Sequence, residues 1–208
     1  MHIMIDIETL GLDPASAPIL QIGAAAFELD GDGPAAGIPL FTANANVASN
    51  LQHPFHRSIE PGTVAFWADT DPELLVEIMR GHGSSLTHVL AELGIWFTRV
   101  DTVIEGVWSN GPCFDIAMLE AAYNQDGMRV PWTYRMIRDV RTMAMIAGDH
   151  DPCWTQGTIT EIEREGRKHE ALVDVLRQIR MVQQTWQRRV MPMPVVEVLN
   201  EMSGQGAG

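Results

Sequence analysis

The sequence is poor in cysteine, in positive charge and in long apolar runs, and each shortage removes a class of protein. Cys113 and Cys153 are the only 2 cysteines among 208 residues. They are too few for a disulfide framework and have no CxxC spacing, so a reduced, cytoplasmic chain is expected. No apolar run approaches the roughly 18–20 residues of a membrane span, and no membrane association is expected. The first residues lack the basic-then-apolar order of a secretory signal, because acids follow a short apolar stretch at once. The net charge of −13 argues against a protein that coats nucleic acid, since such binders carry basic surfaces. No internal repeat or low-complexity tract divides the chain. One folded domain over residues 1–190 is expected, followed by a partly disordered tail at 191–208 that ends in GQGAG.

The distribution of charge says more than its sum. Residues 1–134 hold the whole acidic excess, whereas residues 135–208 hold as many bases as acids. Past Arg135 every base except Lys168 is arginine, whose planar fork matches phosphate oxygens. A phosphate-bearing partner held locally, between Arg135 and Arg189, is compatible with this; a solvated helical face is the simpler reading of any single arginine.

Residues 2–7 and 19–29 read as strands, and DGDG at 30–33 is a turn signal leading to a further extended segment near 39–51. These make an antiparallel meander. Residues 60–81 read as two short helices, the second capped by Asp71 with Pro72 at its first position. Leu86, Val89, Leu90, Leu93 and Phe97 recur at helical spacing. A strand at 102–108, a helix through about Asn124, a short strand near 136–140 with a helix after it, and a last helix over 170–188 complete the pattern, with the prolines of MPMPVV stopping that helix. Strands first and then alternating elements predict an α/β fold, a mixed sheet with helices on both faces.

Asp6 and Glu8 stand one residue apart in IDIETLG, at the end of the first strand. Residues i and i+2 of a strand project to the same face. Two carboxylates there raise each other's pKa unless positive charge lies between them, and a hard divalent cation such as Mg²⁺, Mn²⁺ or Ca²⁺ meets that need. Asp115 follows the 102–108 strand in SNGPCFD, at the start of a helix, where a carboxylate is favoured by the helix dipole. Asp174 lies among core-facing positions of the last helix, behind His169 in HEALVD. Its partner is either an arginine (Arg177 or Arg138) or a metal.

Together these residues resemble the DEDDh branch of the DnaQ-like 3′–5′ exonucleases, which have an RNase H-like fold. DxE is Asp6 and Glu8; NxxxFD runs from Asn110 to Asp115 with Phe114 before the acid; HxxxxD is His169 and Asp174. GTVAFWADTDPE at 62–73 looks like the subgroup containing DexA-type exonucleases and RNase AS. The resemblance spans roughly residues 2–185.

It implies that Asp6, Glu8, Asp115 and Asp174 hold two divalent ions, Mg²⁺ or Mn²⁺, and that His169 is the general base, since an imidazole of pKa ~6.5 accepts a proton at neutral pH. It implies 3′–5′ hydrolysis of single-stranded RNA or DNA, or of 3′ overhangs, to nucleoside 5′-monophosphates, and allows a homodimer. Carried over from the family, Thr9, Leu10 and Gly11 contact the terminal nucleotide, with Asn110 and Phe114 beside them. Phe66 and Trp67 are candidates for stacking on a base, as against packing between helices. Asp139 reads as a helix cap, and the six other histidines as structural or surface residues. Two other readings are a non-catalytic module that binds 3′ ends and a proofreading or repair subunit beside a polymerase.

Overall fold

Alternating side chains give the first strand two different faces, and the sheet is assembled on that strand. In the computed structural model, which describes residues 1–52, 57–80, 83–100, 102–147 and 169–187, β1 (His2–Thr9) is the central strand of five. β2 (Ile19–Phe27) and β3 (Phe41–Asn44) extend it antiparallel on one side. β4 (Gly106–Ser109) and β5 (Ile137–Asp139) extend it parallel on the other, in the order β3-β2-β1-β4-β5. The expected meander and mixed sheet are both present.

Ile3, Ile5 and Ile7 face the larger core with Ile22, Ala24 and Ala26 of β2. Helices α4 (Leu86–Thr98) and α5 (Asp115–Gln125) cover that face. All five residues picked from the helical spacing in α4 are buried, each contributing about 1.5–3 kcal/mol. The opposite face carries Met4, Ala25, Phe27 and Trp108 under α6 (Val140–Ala147) and α7 (Ala171–Thr185). Asp6 and Glu8 continue this second face beyond its last apolar residue. A third cluster packs Leu10 and Leu20 against α2 (Pro61–Thr70) and α3 (Pro72–Arg80). Asp71 caps α3 as expected, its Oδ1 accepting from Leu74 N–H at 2.9 Å. No helix among the described residues is long and apolar enough to cross a membrane.

Three expectations need correction or delimiting. The extended segment at 39–51 is strand only over Phe41–Asn44, because Asn46 caps a short helix α1 (Val47–Leu51), accepting from Ser49 N–H at 3.1 Å. The strand expected at 102–108 is confined to Gly106–Ser109. Residues 102–105 reach past the first residue of β1, and of them only Glu105 bonds back, its N–H donating to Met1 O at 2.9 Å. The last helix is described to Thr185; its expected end at 188, the MPMPVV stop, the 191–208 tail and Cys153 lie outside the described residues.

The small residues of β2 set how close α7 lies to the sheet. Gly23 faces Asp6 across the β1–β2 ladder. A Cβ there would stand 2.6 Å from both the Ala171 carbonyl carbon and the Leu172 nitrogen. Backbone yields little, so Gly23→Ala is expected to destabilise the protein by roughly 1–3 kcal/mol in urea denaturation. It should also lower activity by shifting the first turn of α7, and unchanged stability would contradict this packing.

Candidate active site

Five groups from three sequence-distant segments converge where β1 outruns its neighbour. The β1–β4 ladder ends at the Met4–Trp108 pair. Beyond it, Ile7 N–H donates to Asp115 Oδ1 at 3.3 Å. That bond holds the first residue of α5, 4% exposed, beside the strand end that carries Asp6 and Glu8.

The second approach is from α7. Gln21 lies opposite Glu8 in the ladder, and its Oε1 accepts from Ala171 N–H at 2.8 Å, satisfying one of the free donors at the helix start. Its Nε2 donates to Asn44 Oδ1 at 3.0 Å, which fixes the amide. Just before the helix, His169 has φ 66°, a left-handed conformation uncommon outside glycine. Its own N–H donates to Asp174 Oδ2 at 3.2 Å, tying that backbone to the acid. Ligand atoms of Glu8, His169 and Asp174 consequently lie within 4.8 Å of one another. Gln178, one turn past Asp174, donates from Nε2 to Asp6 Oδ1 at 2.8 Å.

This gathering is electrostatically costly. Burial, then the charges of Asp115 and Asp174, hold the Asp6 carboxyl well above its usual range, with the Gln178 amide pulling the other way. Burial, then the charges of Asp6, Asp174 and Asp115, push Glu8 up to about 10. Burial raises Asp115 to about 7, against the Ile7 N–H and the charge of Arg141. Arg177 Nη1 donates to Asp174 Oδ1 at 3.0 Å. Of the two arginines considered for Asp174, Arg177 is the partner. Arg138 donates instead to the carbonyls of Arg135, Ile137 and Glu105. Clustered carboxylate oxygens with one imidazole are the donor set of a hard divalent cation, so the residues fit the metal site implied by the sequence.

A cleft of about 570 Å³ opens over these groups. Thr9, Asn110, Phe114 and Trp67 line it, but two expected contacts do not. Leu10 is 1% exposed and packs in the third core cluster. Gly11 makes room for a carboxylate, since a Cβ there would stand 3.0 Å from Glu60 Oε1. Leu12, 65% exposed, lines the cleft instead. Trp67 is 1% exposed, its indole N–H donating to Thr9 O at 3.0 Å, so it braces the strand end from below. Phe66 is 48% exposed, lines the cleft, and meets the His169 ring edge to face at 5.6 Å. Asp139 caps α6, accepting from Arg141 N–H and the Thr142 hydroxyl.

Sequence reasoning missed four supporting residues. Glu60 reads as a helix cap before Pro61, yet its Oε1 accepts from Leu12 and Asp13 N–H at 3.0 and 3.2 Å and pins the loop after β1. Gln178 was visible as the polar residue four positions after Asp174, on the same helix face. Gln21 shares the face of Glu8 by strand pairing, and Arg141 was hidden among the other arginines.

A mixed five-stranded sheet with carboxylates ending its central strand, an acid opening α5 and a His–Asp pair leading α7 defines the RNase H-like, DEDDh class of 3′–5′ exonucleases. The model of the 3′-5′ exoribonuclease Rv2179c-like domain matches residues 1–186, and the chain belongs to that family. It is a 3′–5′ exonuclease. The nuclease domain of 3′hExo, a DEDDh family member solved with rAMP, superposes with TM-score 0.57 at 12% identity, over 92% of this chain and 94% of that one. Escherichia coli exonuclease I in complex with a dT13 oligonucleotide gives TM-score 0.64 at 15% identity, over 90% of this chain but 41% of that one. At these identities the likeness establishes the fold. The chain spans about two fifths of exonuclease I, at 41%. No curated protein sequence matches the chain.

The raised carboxyls set a pH dependence. A carboxyl whose folded pKa exceeds its unfolded value of ~3.9 costs nothing below that pH, and its penalty grows until the folded pKa is passed. The chelator-treated protein is therefore expected to lose stability as pH rises from about 4 through about 7, the Asp115 range. Asp115→Asn should flatten that slope and stabilise the chelated protein at pH 7 by roughly 1–4 kcal/mol. Urea denaturation from pH 4.5 to 8 checks both.

Proposed function

We propose that this exonuclease removes nucleoside 5′-monophosphates from the 3′ end of single-stranded RNA or RNA overhangs. In this reading Asp6, Glu8, Asp115 and Asp174 hold two divalent cations, Mg²⁺ or Mn²⁺, and His169 is the general base. The observation that carries it is the meeting of Glu8, His169 and Asp174 within 4.8 Å at the cleft that Asp6 and Asp115 also line. The exoribonuclease description of the family supports RNA over DNA. A module that only held 3′ ends would have no use for carboxylates whose mutual repulsion works against folding and against a phosphate.

When bound, the cations offset the carboxylate charges, polarise the scissile phosphate and acidify an attacking water. The chain's own residues do the rest. His169, held in a left-handed turn by Asp174 and flanked by the rings of Phe66 and Trp67, points its imidazole beside Glu8 and takes the water's proton. Phe66 offers an exposed ring for the terminal base, a contact worth about 1–3 kcal/mol. Thr9 and Leu12 line the same cleft. A homodimer is compatible with this reading and is tested by sedimentation.

The test is hydrolysis of 5′-labelled single-stranded RNA and DNA of equal sequence with Mg²⁺, Mn²⁺ or EDTA. A metal-dependent ladder shortening from the 3′ end, faster on RNA, is expected. Asp6→Ala and Asp174→Ala should abolish it while the protein stays folded, and His169→Ala should slow it roughly 10²–10⁴-fold. Near-normal rates in all three variants, or equal RNA and DNA ladders, would contradict the corresponding part of the proposal.

A further inference from the structure

The cleft carries one arginine whose guanidinium is left unbonded by the described fold. Arg141, exposed in the first turn of α6, lines the cleft together with Asn110 and Phe114. Among the described residues its guanidinium has no hydrogen bond or ion pair, and it is its backbone N–H that donates to Asp139 Oδ1, at 3.1 Å. Arg177, the other arginine near the acids, is committed to Asp174.

The position of Arg141 is built rather than accidental. Its guanidinium lies over Gly111 in the loop between β4 and α5, where a Cβ would stand 3.1 Å from Cζ, 3.3 Å from Nη2 and 3.4 Å from Nε. Gly111 also has φ 108°, so two constraints keep a side chain out of the space the guanidinium occupies. The charge faces the carboxylates closely enough to counter the rise in the Asp115 pKa.

Sheet order decides which part of a substrate it would meet. The loop after Glu8 and the α2 ring of Phe66 belong to the β2 side of β1, where Leu10 and Trp67 pack with Leu20 of β2. Asn110 follows β4 and Arg141 follows β5, on the other side of β1. A nucleic-acid strand whose last nucleotide lies by Phe66 and whose scissile phosphate lies at the carboxylates must continue toward Arg141.

We propose that Arg141 binds the phosphate immediately 5′ to the scissile one, and so positions the substrate that is retained after each cut. This rests on the proposed placing of the 3′ nucleotide. A planar fork is suited to two phosphate oxygens, and the carboxylates around it exclude other anions that lack a metal-bound neighbour in the same strand.

The experiment compares two short oligonucleotides with the same 3′-terminal RNA linkage. One is all phosphate; the other carries a single uncharged methylphosphonate in the linkage next upstream. The wild-type enzyme with Mn²⁺ is expected to cut the modified oligonucleotide about 10-fold or more slowly in kcat/KM. Arg141→Gln should cut the all-phosphate oligonucleotide slowly as well and show little further loss on the modified one. Arg141→Lys should restore part of the difference. Equal sensitivity to the methylphosphonate in wild type and Arg141→Gln, with both folded by thermal melting, would overturn the assignment. A wild-type enzyme active on both but insensitive to the modification would overturn it too. A wild-type enzyme inactive on the all-phosphate oligonucleotide would refute the proposed function itself.

Discussion

Everything at the working end of this protein follows from packing acids together around the last residues of a central strand. Asp6 and Glu8 share the face toward α7, and Asp115 and Asp174 are brought to them from the two flanking helices. Three of the four carboxyls are driven above their normal range chiefly by burial, reinforced for Asp6 by the charges of Asp115 and Asp174 and for Glu8 by those of Asp6, Asp174 and Asp115. Such an arrangement persists only because the remainder of the sheet supplies the stability it subtracts. Nearly all of β2 and the inner face of β1 are buried under four helices.

The supporting contacts are arranged to hold backbone, not merely side chains. Gly23 lets α7 touch the sheet, Gln21 caps its first turn, and Asp174 itself holds the left-handed His169. Glu60 fixes the loop after β1 through two N–H groups, while the Trp67 indole holds Thr9 O. The functional groups therefore sit on ladder ends and helix starts, where a small shift of one element would separate them. Preorganisation of this kind is what lets a site hold like charges close without local collapse.

The carboxylates were legible because their geometry is local. A one-residue gap on a strand puts Asp6 and Glu8 on one face, and the spacing of His169 and Asp174 spans a turn into a helix, so each pair can be placed without knowing the fold. The meander followed from strand and turn signals, and the two-sided helical cover from the order of strands and helices. Contacts fixed by tertiary packing were not legible. Phe66 and Trp67 are neighbours about 100° apart on a helix, and only the third cluster decides that Trp67 is inside and Phe66 outside. Leu10 and Gly11 follow Glu8 in sequence, but the loop turns them into the core and against Glu60. Strand β4 is shorter than its apolar run because pairing, not composition, ends a strand.

That burial raises Asp6, Glu8 and Asp115, so that a cation displaces protons when it binds, is most directly tested by calorimetric titration of Mn²⁺ into chelator-treated protein near pH 6.5. Done in two buffers of different ionisation enthalpy, the titration counts protons exchanged on binding. Net proton release is expected, reduced in Asp115→Asn. Tight binding with no proton release, or no binding by the folded protein, would contradict it.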